Sequence, residues 1–522
     1  MMTDKSHGWL LAEVIRLGIP SERAQAFLAA DLACVRSPWD IPGMDVLVAR
    51  LDAMANDNKR VLLFGDFDAD GATATAVLFA TLARRMPSVR RYIPWFHEGY
   101  GLQVAQVERF AAEGIQVIIT IDNGITAHAA VERAQELGLE TLIIDHHLLR
   151  SDIGAPRTIY IDPPDSLLSA SQVGYLAAQA LRQTWWGEAS HDDWGLAIAA
   201  VGAQMDWMPL DVAENRGWIA RAQQIINSHA CPPGLAAIRR ALGEDYTSSE
   251  LDTLGAPLNL GKRLKSVDPN LVVELLLPDT PTSRRDQLAA YLVSERKRVE
   301  QMERSAHERA LSDANKLRHE RGMLIYTVES PDDDLAELEG PLANKLTYAT
   351  GQPVLALRRY PNVIAFSGRA AGTFSFASFI GDAGLRRIVL NMGGHAKAMG
   401  GALKPDRLDD FLAAVRGWEK RTQGQEIWSN TAESPMPPHT LTELTPQIAY
   451  LLARQLGPFG HRFRRPAYRA TLQVRQGVAY SGENMVSADI ALLEGAHQVT
   501  FTFYEAYCDG ERIGLACYPR DI

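Results

Sequence analysis

Short apolar runs alternate with stretches of helical spacing through the first half of this 522-residue chain. Val61 to Phe64, Val117 to Ile121, Thr141 to Ile144 and Thr158 to Ile161 read as strands buried on both faces. Helical segments such as Val104 to Ala112 and Ala127 to Leu137 separate them, so the pattern predicts βα units around a parallel sheet. Ahead of it, residues 1–55 form a helical lead-in, with Leu10, Leu11, Val14, Ile15 and Leu17 spaced for one apolar face. Beyond about residue 275 the period becomes helical from Ser283 to Leu317, a span of about 50 Å at 1.5 Å per residue, which would join two lobes. A second α/β pattern starts at Met323 to Tyr326 and includes Val354 to Leu357, Val363 to Phe366 and a helix around Leu408 to Val415. Residues 422–440, with Ser434-Pro435-Met436-Pro437-Pro438, read as a linker. The tail alternates as strands do, and Asp509-Gly510 signals a hairpin, so a small OB-type barrel is expected there. The expected segments are therefore 1–55, 56–275, 276–320, 321–421, 422–440 and 441–522.

The polar residues that end the apolar runs carry the chemistry. The first run ends in Asp66, Asp68 and Asp70, the second in Asp122-Asn123-Gly124, the third in Asp145-His146-His147 and the fourth in Asp162-Pro163-Pro164. A further Asp206 follows the helical stretch Leu196 to Gly202. Alternate residues on an extended strand end point to one side, so Asp66, Asp68 and Asp70 are expected to present oxygens to one point. Parallel sheets bind ligands at the carboxyl ends of their strands. Each Asp taken alone reads as readily as a helix cap or a solvated acidic turn. Taken together, with two adjacent histidines, they read as a metal site. Carboxylates and imidazoles without thiolate favour Mn²⁺ or Mg²⁺, and two such ions can clamp an in-line displacement at phosphorus.

Composition narrows the partners. Hydrophobic residues make up 46% and charged residues 22%, as in ordinary globular proteins. The four cysteines, Cys34, Cys231, Cys508 and Cys517, have no metal-ligand spacing and suit a reducing cytoplasm. No signal peptide or membrane span is evident in the sequence. A net charge of −10 argues against a uniformly basic nucleic-acid coat but leaves room for a local basic groove. Two later segments offer one. Ser367-Gly368-Arg369 and Gly393-Gly394-His395 pair backbone N–H groups with cationic side chains, although a plain turn explains the glycines equally. Arg462, Arg464, Arg465 and Arg469 interleave with Phe459, Phe463 and Tyr468, a mixture suited to single strands, though those rings fit a barrel core as well.

The motifs in order, Gly65-Asp66-Phe67-Asp68-Ala69-Asp70-Gly71, Ile121-Asp122-Asn123-Gly124, Asp145-His146-His147 and Asp206-Trp207-Met208-Pro209, resemble the Asp-His-His phosphoesterase superfamily. The Gly-Gly-His segment resembles its DHHA1 partner domain. Glu98-Gly99-Tyr100-Gly101-Leu102, Leu258-Asn259 with Arg263-Leu264, and Gly457-Pro458-Phe459-Gly460 resemble the RecJ group of single-strand-specific DNA exonucleases. The resemblance implies metal ligands at Asp68, Asp70, Asp122, His146 and Asp206, with Asp122 bridging two ions and Asp66 beside them. It implies that His147 contacts the scissile phosphate, that Asp145 orients its neighbours, and that Ser367, Arg369, Gly393, Gly394, His395, Asn259 and Arg263 hold substrate. It also implies hydrolysis of single-stranded DNA from a 5′ end, in repair or recombination, with a single-strand-binding protein or helicase as possible company. The chain departs from the group at Trp95-Phe96-His97 and Pro257, where arginines are usual.

Three readings compete: a single-strand exonuclease, a phosphodiesterase of short oligonucleotides or signalling nucleotides, and a non-catalytic replication scaffold. The tail argues against the second. The third is disfavoured because unused buried carboxylates burden stability.

Overall fold

The computed structural model describes residues 4–147, 159–161, 167–243, 251–317, 322–328, 334–360, 362–370, 374–394 and 397–422, together with short strands from 439 to 517. The chain divides into two compact units, Met1–Arg296 with Pro438–Ile522, and Lys297–Pro437.

In the first unit the lead-in is helical, with α1 (Asp4–Arg16), α2 (Ser21–Leu28) and α3 (Met44–Asn56). Next come β1 (Val61–Phe64), α4 (Ala69–Ala83), β2 (Arg90–Tyr92), α5 (Val104–Ala112), β3 (Val117–Ile121), α6 (His128–Glu136), β4 (Glu140–Ile144) and β5 (Ile159–Ile161). The strands lie in the order β2-β1-β3-β4-β5, and all pairs are parallel. Every residue of β1 and β3 is buried, which is why these strands are apolar without alternation. The chain leaves β1 to one side for β2 and to the other for β3, so the switch point of the sheet lies between the carboxyl ends of β1 and β3.

Helices α7 (Ala170–Trp186) and α8 (Asp193–Met205) pack on α4, and these three are buried along most of their length. Smaller helices follow: α9 (Ala213–Ile226), α10 (Pro233–Leu242), α11 (Leu251–Gly255), α12 (Leu260–Arg263) and α13 (Asn270–Leu276). The long helix α14 runs Thr282–Leu317.

The second unit holds β6 (Leu324–Val328), α15 (Glu339–Thr350), β7 (Val354–Arg359), β8 (Ile364–Arg369), α16 (Ala377–Ile380), α17 (Ala383–Arg386), β9 (Asn391–Gly394), β10 (Ala398–Leu403) and α18 (Leu408–Thr422). Its sheet runs β6-β7-β8-β10-β9, with only β6 and β7 parallel. Phe366, Phe374, Phe376, Phe379, Phe411 and Trp418 form an aromatic core beneath it.

Of the tail, β11 (His439–Thr440), β12 (Tyr468–Val474), β13 (Ala479–Tyr480), β14 (Val486–Ser487), β15 (Ile490–Ala491), β16 (Val499–Asp509) and β17 (Arg512–Cys517) are described. The β16 and β17 strands pair antiparallel up to Asp509 and Arg512, the hairpin that Asp509-Gly510 predicted. The linker at 423–438, His395, Arg462, Arg464 and Arg465 lie outside the described residues. Among the described residues no helix is long and apolar enough to cross a membrane.

One expectation is corrected. Asp66, Asp68 and Asp70 do not continue β1, which stops at Phe64. Asp66 lies in the connection, Asp68 is the N-cap of α4, and Asp70 sits in its first turn. They converge because the chain turns from strand into helix, not because they alternate along an extended strand.

Candidate metal centre at the sheet switch point

Tight local geometry brings the acids together. Asp68 is extended (φ −88°, ψ −177°), and its Oδ1 accepts from the N–H groups of Asp70 and Gly71 at 3.0 and 3.1 Å. It is thus a helix cap, the bland reading of an isolated Asp. Gly71 is required by close approach: a Cβ there would lie 2.6 Å from the Asp66 Cβ and 2.7 Å from the Asp66 backbone N and O. Asp122, directly after β3, is in the left-handed region (φ 64°), with its N–H donating to Ile144 O at 3.0 Å. Such a conformation costs a non-glycine residue free energy and concentrates at functional sites. Asp206 closes α8. After it Trp207 is left-handed (φ 58°), with Trp207 N–H donating to Gln204 O and Met208 N–H to Ala203 O. That double return ends the helix sharply and leaves Asp206 at its tip.

The result is a buried acidic nest. The ligand-capable atoms of Asp66, Asp68 and Asp122 lie within 4.8 Å of one another, as do those of Asp70, His146 and Asp206, and those of Asp122, His146 and His147. The imidazole Nε2 of His146 lies 3.3 Å from Asp122 Oδ1, 3.6 Å from Asp206 Oδ2 and 3.8 Å from Asp70 Oδ2. It is buried without a hydrogen bond, and so is Asp66 Oδ1. Burial holds the His146 pKa below its ordinary value, which favours the neutral ring. Burial, then the charge of Asp68, pushes Asp66 well up. Burial and the charges of Asp70, Asp68, Asp66 and Asp206 do the same to Asp122. Asp206 is pushed up to about 8 by burial and by Asp70 and Asp68. A neutral imidazole nitrogen among carboxylate oxygens that repel one another is a site short of positive charge, and a divalent cation supplies it.

Asp145 has a different task. It is buried, and its Oδ1 accepts from the backbone N–H groups of His146 and His147 at 2.8 and 3.2 Å, while Oδ2 accepts from Ile125 N–H at 3.0 Å. His147 Nδ1 lies 2.8 Å from the same Oδ1. Burial opposes protonation of His147, but the hydrogen bond and charge of Asp145 outweigh it and push the pKa up to about 9. Tyr100 Oη lies 3.5 Å from His147 Nε2.

Groups from elsewhere in the chain hold these acids in place. Asp70 accepts from Ala170 N–H at 2.8 Å and Ser171 N–H at 3.1 Å, so the positive end of α7 holds it. The Lys262 ammonium lies 3.3 Å from Asp68 Oδ2. Asn259 Oδ1 accepts from Ala69 N–H at 3.0 Å, so this expected substrate residue is placed at the start of α4. Arg263 is half-buried at the end of α12.

In the second unit, the Arg369 Nη1 donates to Ser367 Oγ at 2.8 Å and to Gly368 O at 2.9 Å. Burial alone lowers its pKa, and among the described residues no carboxylate is its partner. Gly393 and Gly394 lie in β9, with Gly393 paired to Gly400 and Gly394 to Met399. Arg469 lies in β12 opposite Thr502.

Residues 60–200 match the model of the DHH family, N-terminal domain. The single-stranded-DNA-specific exonuclease RecJ of Dickeya dadantii is 30% identical over 455 residues, which are 80% of this chain and 76% of that one. The chain belongs to the RecJ family. The RecJ of Escherichia coli is 29% identical over 476 residues, 84% of this chain and 80% of that one. The crystal structure of RecJ in complex with Mn²⁺ from Thermus thermophilus shares the fold, with a TM-score of 0.74 at 20% identity over 97% of this chain and 76% of that one. The RecJ relationship therefore covers both α/β units as well as the strand-to-helix connections that carry the acidic nest.

Proposed function

We propose that the chain is a metal-dependent exonuclease on single-stranded DNA that works from a 5′ end with Mn²⁺ or Mg²⁺. The observation that carries this reading is the hydrogen-bond-less Nε2 of His146 among three carboxylate oxygens at the switch point of a parallel sheet. The RecJ relatives, named for single-stranded DNA, supply the substrate class. Asp68, Asp70, Asp122, His146 and Asp206 would hold two ions, with Asp122 shared. Asp66, whose Oδ1 lies in the same nest, stands beside or joins them. Ions bound there would polarise the phosphate and lower the pKa of a water.

The chain's own groups do the rest. Asp145 fixes the ring of His147 and favours its charged form, so His147, whose side chain is exposed at the mouth of the nest, offers a positive N–H to a phosphate oxygen. Arg369, a half-buried guanidinium bonded to a hydroxyl and a carbonyl, is suited to a substrate phosphate. Ser367, Gly393, Gly394, His395 and Arg263 are assigned with it. Asn259 acts by holding the start of α4. The arginines at 462, 464, 465 and 469 are assigned to the path of the strand. In this reading residues 56–275 are the phosphoesterase domain, 276–320 the connecting helix, 321–421 a DHHA1 domain, 422–440 a linker and 441–522 an OB-like domain behind the lead-in 1–55. Its setting is DNA repair or recombination.

The test is purified protein with Mn²⁺ or Mg²⁺ on 5′- and 3′-labelled single strands of graded length, beside Asp122→Ala. Mononucleotides released from the 5′ end of long strands by the wild type alone support the proposal. Activity confined to a few nucleotides would favour a short-oligonucleotide phosphodiesterase. Equal inertness of both proteins would favour a scaffold.

A further inference from the structure

The two halves of the acidic nest are not equivalent. Among the described residues, the ion-pair partner of Asp70, Asp122 and Asp206 is the imidazole of His146 alone. Asp68 differs. Its Oδ1 is committed to the cap of α4, and its Oδ2 faces the Lys262 ammonium, also within hydrogen-bond distance at 3.3 Å. The lysine side chain is 36% exposed and that of Asp68 17%, so the pair lies at the rim of the nest rather than on its floor. The Lys262 charge also reaches Asp66 and Asp206, in each case favouring the ionised form. Lys262 therefore supplies a monovalent counter-charge in direct contact with Asp68, whereas among the described residues no lysine or arginine pairs with Asp70, Asp122 or Asp206.

We propose that Lys262 is an exchangeable counter-ion that sets the metal affinity of the Asp66–Asp68–Asp122 half-site, so that the two halves load with divalent cation in sequence. This rests on the metal-centre reading above. An entering ion that uses Asp68 Oδ2 must displace the ammonium, whereas one bound by Asp70, His146 and Asp206 displaces nothing charged. Two cations a few ångströms apart repel, and a flexible, strongly hydrated lysine head at the rim can swing into solvent when the metal arrives. The half-site with the lysine is the weaker one, and its occupancy follows the free metal concentration. Lys262 is a positioning residue for this cluster. Its sequence context gives no hint of that role, because the short helix α12 reads as an ordinary basic turn.

The test measures metal binding rather than turnover. Full-length wild type, Lys262→Met and Lys262→Arg are stripped with chelator and titrated with Mn²⁺ alone. Free Mn²⁺ is read by electron paramagnetic resonance and binding heat by calorimetry. The wild type is expected to bind two ions in separable classes. Lys262→Met, which keeps most of the stem without the charge, should tighten the weaker class about tenfold or more and leave the stronger class within about twofold. Lys262→Arg should resemble the wild type. Asp68→Asn should remove the tightening when combined with Lys262→Met. An unchanged or weakened second class in Lys262→Met would overturn the inference while leaving the metal centre standing. If the wild type binds no stoichiometric Mn²⁺, or if Asp70→Asn leaves both classes intact, the metal-centre reading beneath it falls as well. Thermal unfolding of each chelated variant, expected near that of the wild type, excludes misfolding as the cause.

Discussion

Asp68 is both a helix cap and a proposed metal ligand, and two substitutions separate these roles. Asp68→Ala removes the acceptor of two N–H groups, at 3.0 and 3.1 Å, at the start of α4. Loss of an N-cap costs about 1 kcal/mol and at most about 2. Asn caps as well as Asp, so Asp68→Asn should stay within about 0.5 kcal/mol of wild type in chelator; it loses the Lys262 pair but relieves repulsion with Asp66. For a unit of a few hundred residues these figures correspond to about 2–4 °C per kcal/mol. Mn²⁺ at about a hundred times its dissociation constant adds about 2.7 kcal/mol to a protein that binds it. Thermal scans of wild type, Asp68→Asn and Asp68→Ala with chelator and with Mn²⁺ should therefore show two patterns. In chelator only the alanine variant falls, by about 2–8 °C. In Mn²⁺ both variants gain less than the wild type. Equal destabilisation of both in chelator would refute the capping role, and a full Mn²⁺ gain in Asp68→Asn would refute the ligand role.

Gly71→Ala forces a Cβ to within 2.7 Å of the Asp66 backbone, so it should cost about 1–3 kcal/mol in urea unfolding and reduce nuclease turnover about a hundredfold by shifting Asp66 and Asp68; unchanged activity would contradict the fit. In chelator, Asp206 keeps its proton in the folded state up to a pH of about 8 but loses it near 4 when unfolded, so its contribution is full below about 4 and is lost as pH rises through 8. Wild type should thus lose stability relative to Asp206→Asn between pH 5 and pH 8 in urea titrations, and a gap that is flat across that range would count against the buried repulsion. Arg369→Ala should weaken binding of a long single strand about tenfold and lower the salt slope by about one, with Mn²⁺ binding unaltered; no change in the slope would remove Arg369 from the phosphate path.

The parts of this protein legible in its sequence are those where burial dictates composition. The runs at β1, β3 and β4 are apolar because both faces are covered, and their ends announced Asp122 and Asp145-His146-His147 correctly as neighbours in space. The edge strand β2, Arg90-Arg91-Tyr92, has no such coverage and gave no signal. The three acids after β1 were recognised for a mistaken geometric reason, since spacing in sequence cannot tell an alternating strand from a cap and first helical turn. Most of the groups that hold the acids were invisible, and Asn259 was named only as a substrate residue. Asp70 is held by backbone N–H groups of Ala170 and Ser171, about a hundred residues away, and backbone donors leave no mark in composition. Lys262 and Asn259 meet α4 through tertiary packing alone.

The acids and His146 at the switch point are proposed to form a divalent metal centre. Anomalous diffraction at the manganese edge, from crystals of the wild type and of Asp122→Ala grown with Mn²⁺, tests it most directly. Two strong peaks are expected in the wild type, one among Asp66, Asp68 and Asp122 and one among Asp70, His146 and Asp206, with both depleted in the variant. A wild-type crystal that shows no peak in the nest at saturating Mn²⁺, while the same preparation degrades single-stranded DNA, would contradict it.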